Sequence, residues 1–376
     1  MPLNKPLSGK CVDILISTLL YNNVYFKKIV TKNRLMFPVY ESLLRPILFM
    51  LSPENAQRLA DQFISSPILS LLRPFFELHD ERLNVDIAGL KFHNPIILAA
   101  GYDKNCALLN FLPKLGFGGV VAGTITKEAK SGNPSPRILR RTQDFALVNS
   151  LGFPNVGLAI ASQRLAEYQS SSWRTPMITS VSGVTVDEIS ACVTEIDSLV
   201  DAIELNISSP NTAGLRAFQQ TENLKDLLST INSIRTKPLF VKLPRIFKSD
   251  PENFFDLLDV CLQSKIDGIV LANTLPIQDE KLFVGQGGLS GYPLLDETLE
   301  MVSFVRQTIG KKTPIIASGG VSSGQNVIDM ISAGANAVQV YTAFVYGGPG
   351  FVKRVNQELL KKIELLGISD ISEMQA

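Results

Sequence analysis

The chain of 376 residues is 45% hydrophobic and only 19% charged, so it folds around a sizeable core and carries neither a disordered nor a fibrous signature. Lys and Arg number 36 against 35 Asp and Glu, a net charge of +1 that leaves no global field for nucleic acid. The histidines are His79 and His93 alone, so residues beyond 93 do any chemistry without imidazole, which excludes Ser-His-Asp triads and H-E-x-x-H metal sites. Cys11, Cys106, Cys192 and Cys261 form no C-x-x-C pair, which points to a reducing compartment rather than a zinc ribbon or a disulfide framework. No stretch approaches the roughly 20 apolar residues of a spanning helix.

Residues 1–37 read as a basic extension, in which Lys5, Lys10, Lys27, Lys28, Lys32 and Arg34 face only Asp13. Such an acid-poor segment suits a mitochondrial targeting sequence or an anionic-lipid contact, and equally a solvated tail. Residues 38–80 predict a domain of two short helices. Ser52 followed by Pro53 is an N-cap with proline in the first helical turn, and Ala56, Leu59, Ala60, Phe63 and Ile64 then share one helix face. Val39, Tyr40, Leu43, Leu44, Ile47, Leu48 and Phe49 precede it as a broad apolar stripe, and Ile68, Leu69, Leu71, Leu72, Phe75 and Phe76 follow it. This exceeds what two short helices bury against each other. The surplus either docks on the rest of the chain or meets a membrane or an apolar ligand.

From residue 83 the pattern changes. Residues 85–92 alternate around Gly89, a β-hairpin signal. Eight short apolar runs of β type follow, at 96–99, 119–122, 177–181, 202–205, 239–243, 268–272, 315–317 and 337–340, most of them separated by helical patterns such as 224–234 and 254–262. Buried strands alternating with helices predict an α/β fold, a (β/α)8 TIM barrel over residues 81–376; a doubly wound parallel sheet shares the periodicity and stays open.

In a barrel the functional residues stand where the strands end. Those ends read Ala100-Gly101-Tyr102-Asp103-Lys104, Gly123-Thr124, Ser180 with Ser182, Asn206-Ile207-Ser208-Ser209, Lys242, Asn273-Thr274, Ser318-Gly319-Gly320 and Tyr341-Thr342. Loops after the seventh and eighth strands of such barrels commonly bind phosphate through backbone N–H groups, a use that suits residues 318–324 and Tyr341-Thr342. No Walker pattern occurs, and residues 285–290 miss the last glycine of a dinucleotide fingerprint and follow no clear strand, so a mononucleotide is favoured. The run from Asn206 to Arg216 presents a hydroxyl among carboxamides, whose paired donors and acceptors suit a cyclic imide or urea. Lys104 and Lys242 supply positive charge for a carboxylate or a reduced flavin.

Several runs together carry a family resemblance: Gly-Tyr-Asp-Lys at 101–104, Gly-Asn-Pro-Ser-Pro-Arg at 132–137, Asn-Ser-Leu-Gly-Phe at 149–153, Ser-Ser-Pro-Asn-Thr-Ala-Gly-Leu-Arg at 208–216, Gly-Gly-Leu-Ser-Gly at 287–291 and Ser-Gly-Gly-Val at 318–321. Over residues 38–366 the sequence resembles the dihydroorotate dehydrogenases, and among them the quinone-dependent, membrane-associated class 2. The resemblance implies an FMN-binding barrel that oxidises (S)-dihydroorotate to orotate in pyrimidine synthesis, with ubiquinone or another membrane quinone as acceptor. By position it implies Ser209 as the base for the C5 proton while the C6 hydride goes to flavin N5, and Lys104, Asn149, Phe153, Asn206, Asn211, Asn273 and Thr274 as substrate contacts. It likewise implies Ala100, Gly101, Thr124, Asn149, Asn206, Lys242, Ala272, Ser290, Gly291, Gly319, Gly320, Tyr341 and Thr342 as FMN contacts.

Arg140 and Tyr341 align with residues of a quinone tunnel, and residues 38–80 with its helical entrance. The expectation is a monomeric, metal-free peripheral protein of the bacterial cytoplasmic membrane or the mitochondrial inner membrane. Ser at 209 accords with class 2, since class 1 sequences carry Cys there. Several positions depart from class 2: Gln57 stands for a His, Pro154 follows Phe153 as in class 1, the third strand offers Ser180 and Ser182 but lacks the usual Asn, and Ala272 replaces a Thr. A class 1-like enzyme using fumarate or another soluble acceptor, and a flavin barrel kept as a binding protein, are the alternatives.

Overall fold

The computed structural model describes residues 39–170, 175–208, 215–247 and 251–375. Its centre is a closed barrel whose strands, in chain order, are β1 (Ile96–Leu98), β2 (Gly119–Ile125), β3 (Met177–Val181), β4 (Ala202–Asn206), β5 (Leu239–Lys242), β6 (Gly268–Leu271), β7 (Ile315–Ser318) and β8 (Ala337–Val340). Each pairs in parallel with the next, and β8 closes on β1 through the register Val338↔Ile96 and Val340↔Leu98. Every apolar run read as a strand is one, and closure settles the barrel over the doubly wound sheet.

The strands are apolar on both faces because both are covered. Ile97, Val121, Ile178, Ala202, Phe240, Val270, Ile316 and Ala337 form the inner layer, joined by Ile87 and Phe92 from the antiparallel hairpin Val85–Ile87/Leu90–Phe92. Phe92 enters beside the start of β2, where a Cβ on Gly119 would lie 2.6 Å from its ring, so only glycine admits the plug. The outer faces join the helices in one continuous core.

Two sequence readings need correction. Residues 38–80 hold three helical segments rather than two: Tyr40–Phe49, which opens with a π-helical turn, then Pro53–Ile64 and Pro67–Phe76. Ser66-Pro67 repeats the Ser52-Pro53 start signal and so begins a helix of its own. Ile64, Leu69 and Phe76 belong to the barrel's outer core, while Leu43 (56%), Ile47 (48%), Met50 (85%) and Leu71 (78%) stay exposed, so the surplus apolar surface is divided between docking and solvent. Second, the glycine-rich stretch that follows no clear strand is itself a strand. Gln286–Gly291 lies in a four-stranded antiparallel sheet between Leu275–Gln278 and Ala146–Asn149, with Ile138–Arg141 at the far edge. A Cβ on Gly288 would fall 2.0 Å from Thr274 Oγ1, and this close approach is what the glycine serves. Among the described residues no helix is long and apolar enough to cross a membrane.

Candidate active site

A cavity of about 580 Å³ opens at the C-terminal ends of the barrel strands beside the antiparallel sheet. The strand ends bring Ala100, Gly101, Lys104, Thr124, Asn206, Lys242, Ala272, Asn273, Thr274, Gly319, Gly320, Tyr341 and Thr342 to its wall, and the antiparallel sheet and its neighbouring loop add Asn149, Phe153, Ser290 and Gly291. Arg140 does not line it. Its guanidinium sits 4.4 Å from the centre of the Phe49 ring and donates to Leu51 O at 2.7 Å, fastening the end of the first helical segment. Ser209 and Asn211 lie outside the described residues.

The amides of the wall are held in one network. Asn273 Nδ2 donates to Asn206 Oδ1 at 3.3 Å and to Ser208 Oγ at 3.0 Å, and Asn273 Oδ1 accepts from Thr274 N at 2.8 Å. Asn206 Nδ2 donates to Thr124 Oγ1 at 3.3 Å, and Thr124 shares a 2.9 Å bond with Ser180. Ser182, just past the end of β3, donates to Asn206 O at 2.9 Å, so with Ser180 it braces the strand end that carries the Asn206 carboxamide. Ser290 Oγ bonds Thr342 Oγ1 at 2.9 Å and so ties the antiparallel sheet to the end of β8.

Charge is placed at three points. Burial pushes the Lys104 ammonium from 10.5 down to about 8, against the support of Asp61, Asp103 and Glu54. Asp103 accepts from Ala107 N and Leu108 N at 2.8 Å each, which shapes the loop that carries Lys104. Lys242 Nζ donates to Gln339 Oε1 at 3.3 Å on the cavity floor. Arg245, fully buried, donates to Glu297 Oε1 at 3.1 Å, Thr298 Oγ1 at 2.9 Å and Asn273 O at 3.3 Å. Arg245→Met leaves Glu297 solvated but strips these bonds from the Asn273 loop. A loss of about 1–3 kcal/mol is expected in urea unfolding, with weaker ligand binding.

Of residues 318–324, the last two belong to the start of the next helix. Ser323 Oγ caps the helix Gly324–Ser332 by accepting from Asn326 N, and Gly324 N donates to Glu358 Oε2 at 2.6 Å, so this helix start is already satisfied. Ser318, Gly319, Gly320, Val321 and Ser322 line the cavity. Gly320 adopts φ +83°, and a Cβ there would lie 2.3 Å from Leu295 Cα, which makes a side chain impossible.

Sequence reasoning missed the cavity-lining Leu147 of the antiparallel sheet and Phe145 just before it, the buried Glu204 and Gln339, and the bracing Arg245. Glu204 and Gln339 had a signal, being polar residues inside apolar strands. Among the described residues no group of three or more His, Cys, Asp or Glu is placed to hold a metal.

Residues 82–363 match the family model described as dihydroorotate dehydrogenase. The dihydroorotate dehydrogenase (quinone) of Christiangramia forsetii is 33% identical over 345 residues, covering 86% of this chain and 99% of that protein. The protein of the same name from Rhizobium etli is 36% identical over 339 residues, covering 84% and 90%. A crystal structure of Eimeria tenella DHODH in complex with ferulenol matches with a TM-score of 0.74 at 30% identity, covering 87% of this chain and 97% of that one. Barrel, cavity and relatives agree: the chain belongs to the dihydroorotate dehydrogenase family.

Proposed function

We propose that this protein oxidises (S)-dihydroorotate to orotate, with FMN as its resident cofactor and a membrane quinone as electron acceptor. The observation that carries the reading is the pairing, in one cavity, of linked carboxamides beside a half-buried lysine with a side-chain-free glycine loop beside a second lysine. The first pair suits the substrate. Asn206 and Asn273 offer donors and acceptors to an amide edge, and Lys104 offers an ammonium to the ring's carboxylate. The second suits a flavin mononucleotide: Gly319 and Gly320 leave backbone exposed for a phosphate, Lys242 stands at the floor for an electron-rich ring edge, and about 580 Å³ lies within the usual range of ligand sites.

FMN, when bound, supplies the two-electron acceptor for the C6 hydride. The chain's own part is to orient and to move the C5 proton. Ser209, next to Ser208 in the run that resembles the class 2 motif, is the base in this reading. Anaerobic addition of dihydroorotate to purified protein should bleach the bound flavin, identified as FMN after release from a separate sample, and yield one orotate per flavin. A colourless protein that takes up no FMN overturns the reading.

The quinone as acceptor is supported by the names of the relatives and by the helices before the barrel, whose exposed Leu43, Ile47, Met50 and Leu71 suit a peripheral membrane contact. Deleting these helices is a poor test, because Ile64, Leu69 and Phe76 are part of the barrel's core. Met50→Glu with Leu71→Glu is better. Flotation with phosphatidylglycerol-containing vesicles should fall by about tenfold, from the apolar burial lost, while flavin reduction by dihydroorotate is unchanged.

A further inference from the structure

Directly beneath the cavity lies a polar link of which the cofactor reading uses only Lys242. Side chains on β4 alternate, so Glu204 points the same way as Ala202 of the inner layer and Asn206 of the cavity wall. Glu204 has no exposure at all. Its Oε2 accepts from Gln339 Nε2 at 2.6 Å, and Gln339 Oε1 in turn accepts from Lys242 Nζ at 3.3 Å. Its other oxygen, Oε1, is buried with no hydrogen-bond partner. Lys242 and Gln339 reach the cavity, whereas Glu204 does not.

The order of these groups is forced by what each can do. A carboxylate only accepts, so the Gln339 amide must turn its NH2 to Glu204 and its oxygen to Lys242. The acid thereby provides the ammonium with a fixed acceptor. It also sets an opposite charge one amide away from it, in an interior where charges are weakly screened. Burying a carboxylate among apolar strand residues is tolerable only with such a counter-charge in reach.

We propose that Glu204 is a positioning residue for the flavin: through Gln339 it holds the Lys242 ammonium at the cavity floor and sets how much positive charge the flavin ring meets. The inference rests on the FMN reading. Removing the carboxylate leaves the ammonium uncompensated, which favours the electron-rich reduced ring over the oxidised one.

The test is the two-electron midpoint potential of FMN in the holoenzyme, read by dye equilibration. Glu204→Gln keeps the side chain's shape and loses its charge. Glu204→Val makes the same charge change with an apolar residue and stands in if the first variant does not fold. Glu204→Asp restores the charge. Each neutral variant that folds should shift the reduction equilibrium on the order of tenfold toward reduced flavin, a rise of about 30 mV, as for a unit charge acting over several ångströms at an effective dielectric constant of about 20. Glu204→Asp should return to within about threefold of the unsubstituted protein. Unchanged potentials in the neutral variants, with FMN bound, overturn the inference while leaving the function intact. Failure of the unsubstituted protein to bind FMN overturns the functional reading instead.

Discussion

Ser209→Ala slows anaerobic flavin reduction by dihydroorotate by about 10²- to 10⁴-fold, the usual worth of a general base, while FMN stays bound. Neither histidine reaches the cavity: His79 and His93 pack edge to face at 5.8 Å, and neither lines the cavity wall. The Ser208 hydroxyl is already committed, donating to Lys242 O at 2.9 Å and accepting from Asn273 at 3.0 Å. The base is assigned to its neighbour Ser209 by the resemblance of the run at 208–216 to the class 2 motif. Ser208→Ala gives the control, since it loosens Asn273 and weakens substrate binding without removing the base. Stopped-flow absorbance at the flavin band separates the two. A Ser209→Ala variant that reduces its flavin at the original rate contradicts the assignment.

The second large effect is on substrate binding. Lys104→Ala should lower kcat/KM for dihydroorotate on the order of 10²- to 10³-fold, because truncating one partner of a desolvated charge pair costs about 2–5 kcal/mol. The same lysine sets a pH limit. Its ammonium is charged below about 8 and neutral above, so kcat/KM should be flat on the acid side of 8 and fall toward higher pH. Asp61 moves that limit. Burial raises its carboxyl from 3.8 to about 7, so at pH 8 it is ionised and helps to keep Lys104 charged. Asp61→Asn removes this support, and the alkaline limb should shift to lower pH. A limb that stays in place in Asp61→Asn and in Lys104→Arg would show that another group titrates. Asp61 stands on the helix Pro53–Ile64, so the segment before the barrel acts on the charge of Lys104.

What the sequence disclosed and what it hid follow from the same physics. Strands covered on both faces read as unbroken apolar runs, so all eight barrel strands were legible, and their ends marked the cavity. The antiparallel sheet was not legible. Leu275–Gln278 is only half covered, and Gln286–Gly291 gives up side chains at Gly287 and Gly288 to let Leu282 and Thr274 come close, which disguises a strand as a loop. Two helices became three because an apolar stripe does not reveal that Ser66-Pro67 interrupts it. The cavity-lining Lys104, Asn206, Lys242 and Asn273 are legible from their types at strand ends. Glu204, Gln339 and Arg245 were not, because their partners lie far along the chain: Gln339 is 135 residues from Glu204, and Thr298 is 53 from Arg245.

Steady-state orotate formation from (S)-dihydroorotate, measured with a ubiquinone analogue and with fumarate as competing acceptors, tests the central claim most directly. Sustained turnover with the quinone and none with fumarate is the predicted result. Turnover with fumarate alone, or flavin that dihydroorotate leaves oxidised, would contradict it.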